Sequence, residues 1–349
     1  MSEFGPAAPF LLGPNPAPQF YAGGGKWMAF RGLAPVATPS PEDWLGSTTS
    51  LWGRAPAGQT MLPDGRWLAD AVAAEPIEWL GSAHVERHGT DTGVLVKLLD
   101  GASRLVVHCH PDREFARRHL GCVHGKTEAW VVLSAQGDEA VWLGFRDPVE
   151  RVELETWVAH QDVGALLGAV NRIPVREGDS ILVPAGVPHA IGAGVMVLEL
   201  QEPEDLSILL ERPTNLAEQA DSGWDLGLGA ARALAAVDRS GWDVQRLERV
   251  RAKLPAGTGS ALPLAAEPFF QAQHVVAGSE VGAGFRIIVG IAGEGELVPG
   301  RGGEPLALRG GTVALAGDAA GPLHVSGSLR AVVCRPPAPA ETHPPRPEV

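Results

Sequence analysis

The chain has 349 residues, 45% of them hydrophobic and 20% charged, with a formal net charge of −13. Phosphate backbones attract basic surfaces, so that charge argues against nucleic acid as a partner, and it gives no broad steering field for an anionic substrate. No stretch reaches the roughly 18 apolar residues of a membrane span, and Met1 to Gly13 lacks the pattern of a signal peptide, which predicts a soluble, cytoplasmic protein.

In chain order, the first 20 residues hold five prolines and read as an extended arm, followed by a turn at Gly23-Gly24-Gly25. Trp67 to Glu75 places Trp67, Leu68, Ala71 and Val72 at the spacing of a one-sided helix, with Pro76 as its stop. From Thr92 strands dominate: Val94 to Leu99 with the single charge of Lys97, then Arg104 to His110, Ala129 to Leu133, Ser180 to Val183 and Val195 to Leu200. Thr156 to Leu167 reads as helix. With 44 glycines and 30 prolines supplying turns, this is the pattern of an antiparallel barrel or sandwich. Asn215 to Leu254 has apolar residues at helical spacing, and strand patterns resume from Pro268: Phe285 to Val289, Leu297-Val298, Val313 to Leu315 and Leu329 to Val333. The expected division is a metal-binding region over 1–212, a helical connector over 213–262, a smaller β domain over 263–335 and a disordered proline-rich tail over 336–349.

Chemistry concentrates in three segments: His108-Cys109-His110-Pro111-Asp112, Gly125-Lys126-Thr127-Glu128-Ala129-Trp130, and Pro184-Ala185-Gly186-Val187-Pro188-His189. Residues i and i+2 of a strand share a face, so His108 and His110 point one way and Cys109 the other. With Glu128 and His189 arriving from neighbouring strands, three nitrogens and one oxygen suit zinc or another divalent transition metal with positions open for substrate. The three cysteines, Cys109, Cys122 and Cys334, form no paired framework and suit a reducing compartment.

At these residues the chain resembles the class I (type I) mannose-6-phosphate isomerase family of the cupin superfamily, from about Trp44 to Val333 and most strongly over Leu95 to Asp100 and these three segments. The resemblance implies a mainly β fold: a cupin-type double-stranded β-helix (jelly-roll) barrel, a second smaller β-barrel and a helical connector. It implies a metal held by His108, His110, Glu128 and His189, where His108 replaces the family's glutamine, and active-site residues at Lys97, Lys126 and Asp205. It also places Leu209 where the family has an arginine, with Arg212 three residues on, and Val106 where it has a serine. The implied activity is metal-dependent aldose–ketose isomerisation of mannose 6-phosphate, or a related sugar, to its ketose. Lys97 and Lys126 then stabilise charge or bind the sugar, and Glu199 orients a ligand or lysine. Two alternatives stand beside it: other metal chemistry of the dioxygenase kind, as three histidines and a glutamate also serve cupin dioxygenases, or a non-catalytic sugar-binding or regulatory protein, motivated by Leu209.

Overall fold

The computed structural model describes residues 4–213 and 223–337. Two pairs of antiparallel sheets organise the chain. The first pair sets a seven-stranded sheet against a five-stranded one. The larger runs Arg251–Lys253, Asp179–Val183, Glu128–Ser134, Met196–Gln201, Leu95–Asp100, Glu42–Leu45, Pro16–Ala17, and the smaller Ile208–Leu209, His108–Cys109, His189–Ile191, Ala140–Phe145, Val170–Pro174. The second pair has six strands, from Phe10–Leu11 through Val313–Ala316, Arg286–Ala292, Arg330–Arg335 and Gln271–Val275 to Gly259–Ser260, and four strands built around Glu294–Pro299. This mostly-strand, sheet-on-sheet architecture is the one expected from the short strands and glycine turns.

The arm at the start of the chain is tied down at two points. Phe10–Leu11 pairs with Val313–Ala316 in the second sheet pair, and Pro16–Ala17 pairs with Glu42–Leu45 in the first. Pro16 is tolerated there because its segment is the edge strand of the sheet.

Strands Leu95–Asp100 and Met196–Gln201 are buried at every position and lie side by side at the centre of the seven-stranded sheet. Apart from Lys97, Asp100, Glu199 and Gln201 their residues are apolar, as strands covered on both faces require. Between Trp67 and Glu75 the chain forms the helix Leu68–Ala74, burying Leu68, Ala71 and Val72. The helix expected over Thr156 to Leu167 is two helices, Arg151–His160 and Val163–Ala169, parted where Gln161 takes φ 53° and Asp162 caps the second. The long strand expected from Arg104 shortens to His108–Cys109, because Arg104 and Val107 are held by the Glu211 carboxylate instead of a ladder.

Of the expected helical connector, 214–222 lies outside the described residues. Its remainder holds the short helices Ala230–Ala233 and Val244–Arg249 and then an edge strand, Arg251–Lys253, paired with Asp179–Val183. The alternation of exposed Arg251 and Lys253 around half-buried Ala252 is that of a solvated edge. From 338 onward the expected tail also lies outside the described residues.

Candidate metal centre and active-site cleft

The two sheets of the first pair bring the three motifs to one place. His108 and His189 sit opposite each other on adjacent strands of the five-stranded sheet, and Glu128 opens a strand of the facing sheet. Two glycines make the approach possible. Gly125 packs so tightly on the backbone of Pro111 to Arg113 that a Cβ there would meet it at 2.7 Å, and this contact lays the Gly-Lys-Thr-Glu segment against the His-Cys-His strand. Gly186, at φ 83°, turns the chain ahead of His189 and donates its N–H to the carbonyl of His110 at 2.6 Å.

Ligand-capable atoms of His108, His110 and His189 all lie within 4.8 Å of one another. Each ring is oriented the same way. Nδ1 of His108 lies 2.8 Å from the Val106 carbonyl, that of His110 2.6 Å from Leu206, and that of His189 2.8 Å from Val187. A carbonyl can only accept, so each Nδ1 carries the proton and each Nε2 presents a lone pair. The Nε2 atoms of His110 and His189 are buried and make no hydrogen bond, while the two oxygens of Glu128 stand 3.1 Å and 3.2 Å from them. Two orphaned nitrogens facing a buried carboxylate are costly in a folded interior unless something joins them. A divalent cation satisfies all of them, so the donor set fits a metal. Burial, then the neighbouring imidazoles, pushes the pKa of His108 well down; burial and then Lys126 push His110 to about 3. Both rings are therefore neutral, the form in which imidazole ligates.

Cys109 points the other way, as its position between the two histidines requires, into an apolar cluster with Val107, Phe145 and Ile208. Burial alone pushes its thiol up to about 12, which suits a core residue and not a ligand.

Above the histidines a cleft is lined by His108, Glu128, Lys97, Lys126, Glu199 and Asp205, so every residue singled out beside the metal set faces the same space. Lys126 reaches Ser207 Oγ at 3.4 Å, and that hydroxyl is in turn 3.4 Å from His110 Nδ1. Lys97 is 2% exposed and lies 3.4 Å from both Glu42 and Glu199. Burial works against its ammonium, but Glu42 and then Glu199 outweigh it, and its pKa stands above the ordinary lysine value. Glu199 is pushed the other way for a carboxylate, upward, by burial and then by the charge of Glu128. Asp205 is half-buried and accepts the backbone N–H of Trp52 at 3.1 Å.

Sequence reasoning did not find Glu42, Tyr21, Gln19 or Ser207. Glu42 comes from a separate strand beside Leu95–Asp100, and its signal is a carboxylate beside Trp44 in a fully buried strand. Leu209 lines the cleft, paired across the sheet with His108, and is 6% exposed. Arg212 does not turn back to replace it: its guanidinium donates to the carbonyl of Val158 at 3.2 Å and lies over the Trp224 ring.

Solved structures share this architecture. A mannose 6-phosphate isomerase from Bacillus subtilis superposes with a TM-score of 0.72 at 20% identity, over 94% of this chain and 99% of that one. The fold is that of the mannose-6-phosphate isomerases. Another mannose 6-phosphate isomerase structure, bound with zinc and yttrium, superposes with a TM-score of 0.73 at 17% identity, over 95% of this chain and all, 100%, of that one. In sequence, a mannose-6-phosphate isomerase of Streptococcus mutans is 37% identical over 134 residues, which are 37% of this chain and 41% of that protein. One from Bacillus subtilis is 35% identical over 117 residues, 34% of this chain and 36% of its own length. The chain thus matches about two fifths of the length of these curated mannose-6-phosphate isomerases. No family model matches it. Segmental identity and whole-chain fold agree with the resemblance to the type I isomerases read from the three motifs. Among the described residues no helix is long and apolar enough to cross a membrane.

Proposed function

We propose that the protein is a metal-dependent aldose–ketose isomerase that interconverts mannose 6-phosphate, or a closely related sugar, with its ketose in the cytoplasm. The observation that carries this reading is the trio of backbone-oriented imidazoles beneath a cleft holding two lysines. His108, His110, Glu128 and His189 hold the metal, which supplies Lewis-acid polarisation of a sugar carbonyl when bound. Zinc is the first candidate.

Isomerisation builds negative charge on the sugar oxygens as a proton leaves carbon, so the cleft must supply fixed positive charge there. Lys126 is the better placed lysine. It is 5% exposed, beside the metal ligands, and held by a hydroxyl. Lys97 is fixed by two carboxylates and presents a permanent ammonium to the same space. Glu199, with its raised pKa, is able to hold a proton near neutrality, and Asp205 hydrogen-bonds sugar hydroxyls at the cleft edge. Support for the sugar-phosphate assignment comes from the named relatives.

A sugar-binding protein without turnover is the second reading, favoured by Leu209: among the described residues, no arginine lines the cleft. The two separate in one assay, conversion of mannose 6-phosphate to fructose 6-phosphate by zinc-loaded protein beside a His110→Ala control. Turnover abolished in the control supports the isomerase. Sugar binding without turnover in folded, zinc-replete protein overturns it.

A further inference from the structure

Tyr21 is the chain's one tyrosine, and it sits on the stretch joining strand Pro16–Ala17 to helix Lys26–Phe30. Its ring lines the cleft, stacked edge-on against Phe20 at 5.2 Å. Its hydroxyl donates to Oε1 of Glu42. The other oxygen of that carboxylate accepts from Trp44 Nε1 at 2.6 Å and from Gln19 Nε2 at 3.2 Å, and lies 3.4 Å from Lys97 Nζ. Glu42 is 4% exposed, so its ionised form depends on these donors. Burial opposes the charge, but Lys97, followed by the phenol and the indole, outweighs it and keeps the carboxyl below its usual range.

Lys97 lies between two carboxylates, one fixed by three neutral donors and one with none of its own among the described hydrogen bonds. Where its ammonium rests is set by how firmly Glu42 is held. We infer that Tyr21 is a positioning residue for Lys97: its hydroxyl fixes Glu42, Glu42 fixes the ammonium, and the aromatic ring closes that side of the cleft. The inference rests on the isomerase reading only in its kinetic arm; the coupling of Tyr21 to Lys97 is testable without substrate.

Tyr21→Phe keeps the ring and removes the hydroxyl. In the zinc-loaded enzyme kcat should fall about tenfold with KM changed less than about twofold, the pattern of a group that acts on the transition state. In a Glu42→Gln background the same substitution should add no further loss, because the two act as one unit. The readout independent of turnover is NMR of protein with 13Cε-labelled lysine, the Lys97 signal assigned by its disappearance in Lys97→Arg. That signal should move in Tyr21→Phe and move further in Glu42→Gln, with the melting temperature of Tyr21→Phe close to wild type. An unmoved Lys97 signal, or a kcat loss that adds in full to that of Glu42→Gln, would overturn the inference. If wild-type protein turns over no sugar, the isomerase reading fails while the NMR arm still decides the coupling. Should Tyr21→Phe not fold, Gln19→Leu, which removes another donor to Glu42, must shift the same signal.

Discussion

The two sheet pairs use buried charge in opposite ways. In the first, Glu42, Lys97, Glu199 and Glu128 stand on four adjacent strands of one sheet and converge on a cleft lined also by His108, with His110 and His189 beside it. In the second, the interior cluster from Val275 to Val333 is aliphatic, and its conspicuous buried charge is Arg286, 0% exposed. No carboxylate pairs with Arg286 among the described residues. Its guanidinium donates to the carbonyls of Gly321 at 2.8 Å and Gly317 at 2.9 Å, and burial, then the charge of Arg335, pushes its pKa down to about 9. One buried cation is shared by two carboxylates beside a cavity; the other staples loops. Buried charge by itself therefore says little about function, and what distinguishes the two is whether partners converge on open space.

That contrast breaks most visibly at the metal. His110→Ala should leave the protein with a small fraction of the zinc bound by wild type, measured by elemental analysis after dialysis, and with isomerase activity at background. Retained zinc and activity would mean the histidines are packing residues like Arg286.

Next in size, Lys97→Met should lower kcat by about a hundredfold or more, since it removes a fixed charge from the reacting region. It should also destabilise the fold by about 3–5 kcal/mol, because Glu42 and Glu199 are left buried without their cation. Denaturant unfolding and steady-state kinetics measure both. Arg286→Met sharpens the comparison from the other side. It should cost about 1–3 kcal/mol through unsatisfied carbonyls and leave kcat unchanged.

The smallest effect lies outside both interiors, where His124 donates to Asp91 on a partly exposed surface. Burial lowers the His124 pKa, but the hydrogen bond and charge of Asp91 outweigh it and the net shift is upward from 6.5. The folded state then binds more protons than the unfolded state above pH 6.5, so this contribution is present below that value and is lost as pH rises through the raised pKa. Asp91→Asn should remove that increment, no more than about 1 kcal/mol for so exposed a pair, from the difference between unfolding at pH 6 and pH 8.

Much of the site was legible because its motifs are local. His-x-His on one strand, a glycine approach before Glu128 and a glycine turn before His189 each write their geometry into a few consecutive residues; Lys97, His108, Lys126, Glu128 and Asp205 line one cleft, with His110 and His189 beside His108. The central strands were equally plain, as full burial leaves a largely apolar run that Lys97 and Glu199 interrupt. What escaped depends on pairing between distant segments. Glu42 joins the site only because its strand flanks Leu95–Asp100 across the sheet, and Tyr21 because the stretch after strand Pro16–Ala17 brings its hydroxyl to Glu42, a register no short window encodes. Strand Ala140–Phe145 has a glycine at 144, and the proline-rich start of the chain forms edge strands that propensity alone assigns to coil. The break at Gln161 needed a left-handed residue where the apolar pattern ran on.

The carbonyls of Val106, Leu206 and Val187 hold the three imidazoles, and a carbonyl is the same whichever amino acid bears it. Neighbouring side chains can drift over evolutionary time without turning the rings, whereas a one-residue shift of the chain path at any of these carbonyls would misplace the ring it holds. This centre is thus tolerant of substitution and intolerant of insertion. In a library of variants around it, viable clones should carry changed side chains at 106, 187 and 206 far more often than changed loop lengths.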